Sequence, residues 1–569
     1  MSSRAVLACV AALSIVVSAC GGSTPTAEPS GVPSVAPPSP SAAVAPTCVD
    51  EPTPSADGVT TWWRDAVFYE VFVRSFADSD GDGIGDLRGL TERLDYLNDG
   101  NPSTTDDLGV TALWLMPVAE SPSYHGYDVT DYTTVEPDYG TAEDFEALVS
   151  AADARGIRII VDLVMNHTSV EHPWFQDART RGSEHDDWYV WSDEAPTVSG
   201  PGGRPVWHAD GGRWYYGYFW EGMPDLNMTN PDVTATLDSV SRFWLGDMGV
   251  DGFRLDAARH LIEDGSTLEN TDETFAWLRD FRDRTKRSKP TALVLGEVWD
   301  ATSMASRYVD EGALDLTFDF SLASQFLQAV RNGDAESLRI IREEVASAYP
   351  AGGYAAFLTN HDQDRTFDVV GRDVAKAKQA ATLLLTDPGV PFLYYGEEVG
   401  LRGRKPDERI RTPMPWTGEA PGYGFTGGEP WEAMAEDVDT MNVAAEADDP
   451  DSLLSWYRSL IALRAGEAAL RGGAPALPVA ASERTVSATL RHDPAGSSVV
   501  IVSNVGDEPV SDVTLSLDEG PLCGVPATSI ALGAERELAV PTVNAAGGFD
   551  AWPIGNLAPH EDLIVNLEP

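Results

Sequence analysis

The chain has 569 residues, enough for two to four domains and at least one large hydrophobic core. Its 90 acidic residues outnumber its 39 Lys and Arg residues, which gives a formal net charge of -51. This charge repels nucleic-acid phosphates and anionic lipid headgroups, so we expect no nucleic-acid binding and a neutral or cationic partner. The 16 Trp residues favour a neutral partner such as a sugar, because indole faces provide platforms for ring surfaces.

The N-terminal segment predicts export. A basic start at Arg4 precedes an apolar run too short to span a bilayer, which is typical of a signal peptide over residues 1–19. The motif VSAC resembles a bacterial lipobox, which implies cleavage before Cys20 and lipidation of its thiol; an ordinary signal peptide with a chance cysteine is the alternative. Pro, Ser and Ala dominate residues 20–60 and predict a tether. We therefore expect a protein on the outer face of the bacterial cytoplasmic membrane, bound only through its lipid anchor.

Two other cysteines remain after such processing, Cys48 near the end of the tether and Cys523 close to the C-terminus. An oxidising compartment favours disulfide formation. The two residues either pair, which would connect the tether to the last domain, or stay as free thiols.

The loop DSDGDGIGDL, residues 78–87, alternates carboxylates with glycines as cation-binding loops do. Asp78, Asp80 and Asp82 fit positions 1, 3 and 5 of an EF-hand loop. Position 12, however, is Gly89 instead of a bidentate Glu, and the preceding run of aromatic and β-branched residues predicts a strand instead of a helix. The pattern indicates a cation loop after a strand, with a solvated acidic turn as the alternative.

Eight apolar, strand-like runs alternate with helix-like stretches between residues 61 and 472. The runs cover residues 66–76, 110–118, 157–167, 250–258, 292–300, 314–320, 354–362 and 391–400. Such a series predicts an α/β fold, a (β/α)8 TIM barrel, with its catalytic groups at the C-terminal ends of the strands. The predicted catalytic barrel comprises residues 61–167 and 231–472.

Two segments depart from the alternation. Residues 168–230 are rich in Trp, Tyr, Gly and Pro without a helical period, which predicts an inserted B subdomain after the third strand. Residues 473–569 contain alternating strand-like runs, which predict a C-terminal antiparallel β domain, a β-sandwich.

Two acids end neighbouring predicted strands, Asp256 and Glu297. A pair of carboxyl groups is what glycoside hydrolysis requires. Arg254 lies two residues before Asp256, on the same side of the strand, and we expect it to lower the pKa of that carboxyl group. Glu297 stands beside apolar neighbours, and we expect a raised pKa that keeps it protonated as the acid.

Several segments carry a family resemblance. VDLVMNH, GFRLDAARH, GEVWD and FLTNHD resemble, in order, the four signature segments of the α-amylase superfamily, glycoside hydrolase family 13. GVTALWLMP and MPDLN resemble two further segments, and together the match spans residues 62–416.

The resemblance implies a role for each matching position. Asp256 would be the nucleophile that forms a covalent glycosyl-enzyme, Glu297 the general acid and then base, and Asp362 a ligand of sugar hydroxyls. Arg254 would orient the nucleophile. The other substrate-binding positions are Tyr127, which would stack beneath the sugar, Asp128, His167, Arg259, His260 and His361.

The resemblance also implies Ca²⁺ as the cofactor of the acidic loop. The ligands would be Asp78, Asp80, Asp82, the Ile84 carbonyl and Asp86. A second calcium, less firmly implied, would use Asn166, Asp225 and the His260 carbonyl.

The subgroup features point in two directions. MPDLN resembles an intermediate group between neopullulanases and oligo-1,6-glucosidases, and Arg259-His260 resembles the pair that binds the chain beyond the cleavage point in α-amylases. Asp128 and the stretch GEEVGLRGRKPDERIRTPMPW resemble α-glucosidases instead, although Pro415 replaces their usual Gln.

We therefore predict a monomeric retaining hydrolase of internal α-1,4-glucosidic bonds in starch or maltooligosaccharides. The alternative is an α-glucosidase or transglycosylase on short oligosaccharides, similar to oligo-1,6-glucosidase, neopullulanase or trehalose synthase. A non-catalytic glucan-binding lipoprotein is disfavoured because all three acids are present.

Overall fold

The computed structural model describes residues 61–494, 496–525 and 527–568. The predicted signal peptide and tether lie outside these ranges, as do Cys20 and Cys48. Cys523 is disulfide-bonded; its pairing with Cys48 and the lipidation of Cys20 stay predictions. Within the described ranges, no helix has the length and apolar character needed to cross a membrane.

Eight parallel strands close into a barrel, as predicted. They are β1 (Phe68–Val71), β2 (Ala112–Leu115), β3 (Arg158–Leu163), β4 (Gly252–Leu255), β5 (Leu293–Gly296), β6 (Leu316–Phe318), β7 (Tyr354–Phe357) and β8 (Val390–Tyr394). Each strand pairs with the next, and β8 closes on β1 with Phe392 opposite Phe68. All strand residues except Arg158 are buried, because helices cover the outer face of a parallel barrel.

Most of the helices cover the barrel, and several begin at a residue whose side chain caps the first turn. Two of the helix-like stretches form the helices that begin at Ala142 and Ala335, and Thr141 starts the first with a reciprocal capping box to Asp144. The helices are α1 (Leu87–Glu92), α2 (Leu94–Leu97), α3 (Ala142–Asp153), α4 (Pro173–Ala178), α5 (Pro231–Arg242), α6 (Asp272–Ser288), α7 (Thr302–Asp310), α8 (Phe320–Asn332), α9 (Ala335–Ala348), α10 (Thr366–Val369), α11 (Val374–Leu385), α12 (Asp407–Ile410), α13 (Val443–Glu446) and α14 (Leu453–Gly466).

The lower barrel interior is filled by aromatic side chains. Phe68 and Phe392 stack with ring centroids 4.2 Å apart, and Trp114 lies 5.3 Å from Phe318. The guanidinium group of Arg254 lies 5.2 Å above the Trp114 ring. The apolar interior therefore ends at Trp114, and polar groups begin directly above it.

The segment between β3 and α5 forms a small separate layer, as predicted. It contains α4 and a three-stranded antiparallel sheet with strands Trp191–Ser192, Arg213–Tyr216 and Trp207–Asp210 in that spatial order. A bridge between His167 and Asp225 joins the end of this insert to the third strand's exit. The insert thus forms one wall above the barrel. A short hairpin, Ala119–Glu120 with Asp131–Val135, follows β2.

The C-terminal region is an antiparallel β domain. Its strands are β9 (Ala476–Ala481), β10 (Val486–His492), β11 (Ser498–Asn504), β12 (Val510–Glu519), β13 (Ala527–Leu532), β14 (Gly547–Leu557) and β15 (Asp562–Glu568), in the spatial order β13-β15-β11-β10-β9-β12-β14. Residues 476–479 of β9 pair with β10 and residues 480–481 pair with β12, so β9 joins two parts of the sheet. The buried Arg491 donates to the Thr386 carbonyl at 2.6 Å, which fastens this domain to the barrel.

Candidate active site

The polar groups above the aromatic interior come from the ends of five barrel strands. All three predicted catalytic acids are among them, and so are two acids that were not predicted, Glu70 and Asp162. The carboxyl groups are Glu70, Asp162, Asp256, Glu297 and Asp362. The site therefore concentrates acids at the C-terminal rim, where a barrel of this kind places its catalytic groups.

Arg254 links three of these acids and is fully buried. Its Nη1 donates to Asp162 Oδ1 at 2.7 Å and to Asp256 Oδ1 at 2.9 Å, and its Nη2 donates to Glu297 Oε2 at 2.7 Å. Two carboxyl groups on neighbouring nitrogens of one guanidinium lie close together, which favours the separation of about 5 Å found in retaining enzymes. The predicted contact between Arg254 and Asp256 is confirmed.

The pKa of Asp256 differs from the expectation. Burial raises it to about 7, and the attraction of Arg254 only partly opposes that rise, while Asp162 and Asp362 add repulsion. The expected low pKa was wrong because desolvation outweighs a single cation that three acids share. Burial likewise raises the pKa of Glu297 to about 7, in the expected direction.

The pKa of Asp362 shifts in the opposite direction from the pKa values of Asp256 and Glu297. Burial alone would raise its pKa, but His361, Arg411 and Arg254 together outweigh burial and lower it. Arg411 donates to Asp362 Oδ1 at 3.0 Å and to the His361 carbonyl at 3.0 Å. Asp362 is therefore the acid best suited to remain ionised and to accept hydrogen bonds from sugar hydroxyls.

The backbone turns sharply after Asp256. Ala257 has a φ of 51°, a left-handed conformation that costs a non-glycine residue roughly 1 kcal/mol or more. The following turn, Ala258–His260, carries Arg259 and His260 to the wall formed by the insert. Tyr218 of the insert stacks on His260 at 4.0 Å, and Arg259 pairs with Asp300 at 3.3 Å.

Two further predicted histidines line the centre of the site. His167 Nε2 lies 3.1 Å from the Tyr127 carbonyl, and burial lowers the pKa of His167 to about 4. His361 Nε2 lies 2.7 Å from the Tyr127 hydroxyl, whose ring stacks on the imidazole. The structure thus brings Tyr127, His167 and His361 together as the sequence implied.

A polar cluster lies beside Tyr127, whose backbone amide donates to His125 Nδ1 at 3.1 Å. Asp128 is buried and accepts from the Ser121 hydroxyl at 2.8 Å, and His125 lies 3.7 Å from it. The sequence did not single out His125 or Arg411, which reaches Asp362 from 49 positions along the chain.

Two exposed indoles adjoin residues that contact the Arg259-His260 turn. Trp299, two residues after Glu297, is 45% exposed and stacks on Phe320 at 4.5 Å. Trp220 of the insert is 50% exposed, and its neighbour Phe219 contacts His260 at 5.8 Å. The Arg259-His260 turn therefore contacts Phe219 and Asp300, the chain neighbours of two exposed indoles.

The acidic loop after β1 gathers three of its predicted ligands. Carboxylate oxygens of Asp78, Asp80 and Asp86 lie within 4.8 Å of one another, a donor set that fits a hard cation. Asp82 is outside this group, and its carboxylate accepts from the Ile84 amide at 2.8 Å. Gly83 has a φ of +96°, and a Cβ there would lie 2.1 Å from the Glu429 carbonyl, so this position requires glycine.

Two of the three predicted ligands of a second calcium, Asn166 and Asp225, contact each other. Asn166 donates to Asp225 Oδ2 at 3.0 Å, and burial together with nearby Glu263 raises the pKa of Asp225. His260 follows on the adjoining turn, with Nδ1 3.2 Å from the Leu268 carbonyl. A second calcium stays a prediction.

Comparisons with known proteins agree with this geometry. A family model described as the catalytic domain of alpha amylase matches residues 70–473. The chain is 41% identical over 419 residues to Alpha-amylase 3 of Dictyoglomus thermophilum, which covers 72% of this chain and 79% of that protein. It is 37% identical over 469 residues to trehalose synthase/amylase TreS of Mycolicibacterium smegmatis, covering 71% and 76%. The solved alpha-amylase of H. orenii has a TM-score of 0.77 and 37% identity, covering 89% of this chain and all of that one.

Proposed function

Because the chain belongs to the alpha-amylase family, glycoside hydrolase family 13, we propose that it hydrolyses internal α-1,4-glucosidic bonds of starch or maltooligosaccharides with retention. The observation that carries this proposal is the pair of exposed indoles, Trp220 and Trp299, whose chain neighbours Phe219 and Asp300 contact the turn after Asp256. A glucan that continues beyond the cleaved bond would lie there with its apolar sugar faces on the indoles. The 41% identity to a protein named Alpha-amylase 3 supports the same activity.

The acid pair performs the reaction in two steps. The Asp256 carboxylate attacks the anomeric carbon, the glycosidic C–O bond breaks, and protonated Glu297 gives its proton to the leaving oxygen. Glu297, now ionised, takes a proton from water, and the hydroxide attacks the anomeric carbon and releases Asp256. Two inversions give retention, and Glu297 ends protonated as it began.

The shared guanidinium suits both steps. Arg254 holds both acids, and near neutral pH their raised pKa values favour a state in which one carboxyl is ionised and the other protonated. Ionised Asp362 would bind the hydroxyls of the reactive sugar, as its pairing with Arg411 favours.

A second candidate is an α-glucosidase or transglycosylase that acts on short oligosaccharides. The observation that favours it is the polar cluster, in which Arg411 contacts Asp362 and buried Asp128 lies beside His125. Such a cluster would exclude further sugars beyond the non-reducing end. The 37% identity to a protein named trehalose synthase/amylase supports this reading too.

Calcium, location and assembly belong to the same proposal. Asp78, Asp80 and Asp86 would hold Ca²⁺, and the ion would supply fixed positive charge that stiffens the loop after β1. Lipid on Cys20 would anchor a monomeric enzyme to the outer face of the cytoplasmic membrane, with an α-glucan or maltooligosaccharide as substrate and no nucleic-acid partner. The net charge of -51 supports a neutral substrate.

A time course of products separates the candidates. The enzyme is incubated with soluble starch and, separately, with maltose, trehalose and sucrose, and early products are resolved by chromatography. Mixed oligosaccharides from starch support internal cleavage, whereas glucose alone, or isomerised disaccharides, supports the second candidate. The absence of product from every substrate would contradict both enzymatic candidates and favour a glucan-binding protein without catalytic activity. A Glu297→Gln preparation controls for contaminating amylase.

A further inference from the structure

A fifth buried acid, Glu70 on β1, takes no part in the steps above. Its side chain is 3% exposed, and its Oε1 lies 2.5 Å from Nδ1 of His361. On the other side of the imidazole, Nε2 lies 2.7 Å from the Tyr127 oxygen and 3.3 Å from Asp362 Oδ2. The Tyr127 hydroxyl also lies 3.0 Å from Asp162 Oδ2. Four side chains thus form a continuous chain of hydrogen bonds.

Counting protons along this chain assigns a direction to each bond. Tyr127 has a single hydroxyl proton, and Asp162, held by Arg254, is an acceptor when ionised. If the phenol donates to Asp162, its oxygen must accept from a proton on His361 Nε2. A neutral His361 that carries its proton on Nε2 has a bare Nδ1, which needs a donor. An ionised Glu70 at 2.5 Å would set two acceptors against each other, so Glu70 must carry the missing proton.

We propose that Glu70 is a positioning residue whose protonated carboxyl group donates to His361 Nδ1 and thereby holds Nε2–H toward Tyr127, Asp362 and the sugar. Its role in turnover rests on the glucosidic hydrolysis proposed above. When a sugar hydroxyl enters the site, the single Nε2–H of this tautomer is shared between the Tyr127 oxygen and the sugar oxygen, while ionised Asp362 accepts the hydroxyl proton. The reverse tautomer would leave two acceptors facing one hydroxyl.

The surroundings of Glu70 favour the neutral acid. Burial raises the pKa of Glu70 well above its usual range, Arg254 opposes that rise, and Asp362 and Asp162 reinforce it. Burial also lowers the pKa of His361 to about 3, which disfavours a doubly protonated ring. The charged or titratable groups that face Glu70 are Arg254, Asp162, His361, Asp362 and Tyr394.

Loss of the Glu70 proton has a defined consequence. Once that proton leaves to solvent, the carboxylate requires a donor, so the ring proton moves to Nδ1. Tyr127 must then turn its hydroxyl proton from Asp162 to the bare Nε2. The site loses its donor toward the sugar, and kcat should fall as alkaline pH ionises Glu70.

Glu70→Gln tests the proposal, because its amide N–H2 can donate to Nδ1 at every pH while its carbonyl keeps the contact with the His361 backbone amide. We expect kcat on maltoheptaose within about threefold of wild type near neutral pH, with the alkaline limb reduced from two ionisations, those of Glu297 and Glu70, to the single ionisation of Glu297. Glu70→Leu has no donor and should lose roughly tenfold or more in kcat, about 1.4 kcal/mol. Glu397→Gln, which removes another buried acid that does not contact His361, should keep the wild-type alkaline limb. An unchanged limb in Glu70→Gln, or equal losses in the Gln and Leu variants, overturns the proposal.

A second measurement does not depend on turnover. In protein labelled with 15N-histidine and assigned with His361→Gln, Nε2 of His361 should carry the proton and Nδ1 should be an acceptor without substrate present. Titration should move that proton to Nδ1 at alkaline pH, and Glu70→Gln should abolish this change. A proton on Nδ1 at neutral pH overturns the inference, even when hydrolysis is confirmed. The expected tautomer in a protein that cleaves no glucan would leave Glu70 assigned and instead reject the proposed function.

Discussion

Glu297→Gln should abolish turnover and at the same time stabilise the fold. Glu297 has 13% of its side chain exposed and shares Arg254 with two other acids, so its ionised form is poorly solvated and repelled by its neighbours. Gln keeps the shape and can still accept from Arg254. The substitution removes the proton donor of the reaction and one negative charge from the cluster.

The size of the stability change follows from the pKa. Burial raises the pKa of Glu297 from 4.5 to about 7. A raised pKa means that the folded chain binds more protons than the unfolded chain between these values, so stability is undiminished below pH 4.5 and falls as the pH rises through 7. At pH 8 the difference corresponds to about 3 kcal/mol. Because Asp256 titrates with it, we expect a net gain of about 1–3 kcal/mol for Glu297→Gln at pH 8 and little at pH 5.

Thermal unfolding at both pH values measures this change. In a chain of this size, 1–3 kcal/mol corresponds to a rise in Tm of roughly 1–5 °C at pH 8. Glu171→Gln, at an exposed position on the insert, is the matched control and should leave Tm unchanged at both pH values. A Glu297→Gln variant that is less stable than wild type at pH 8, or whose Tm changes equally at both pH values, would refute the reasoning that the buried Glu297 carboxylate destabilises the fold at high pH.

Three further predictions address other parts of the molecule. Asp256→Asn should lower the initial rate on soluble starch by at least about three orders of magnitude with Tm retained, since covalent catalysis loses its nucleophile; near-wild-type rates contradict the assignment. A chelator should lower the Tm of the wild type through loss of the bound ion, and Asp80→Asn should make that decrease smaller. An unchanged Tm after chelation would contradict a metal in the loop. Cys20→Ser should move the protein from the membrane fraction to the medium on immunoblots, and unchanged fractionation argues against the lipid anchor.

The barrel and its central residues were accessible from local pattern. Short apolar runs alternating with amphipathic stretches predict parallel strands, because only strands covered on both faces are apolar throughout. The side chains that follow those strands must then meet at one rim, which places Asp256, Glu297 and Asp362 together. Glu70 and Asp162 could have been noticed as acids inside buried strands, but nothing local indicates that they pair with His361 and Tyr127.

By itself, the sequence determined the order of strands and helices, the place of Asp256 and Glu297 at the ends of neighbouring strands and the loop whose glycines permit its turns, because these depend on periodicity and on local backbone limits. Only the tertiary structure decided that burial outweighs Arg254 at Asp256 and that Arg411 reaches Asp362. It also decided that Thr426 donates to the Asp78 carboxylate from 348 positions away. Desolvation and contacts between distant segments arise only when the barrel closes, so no local pattern encodes them.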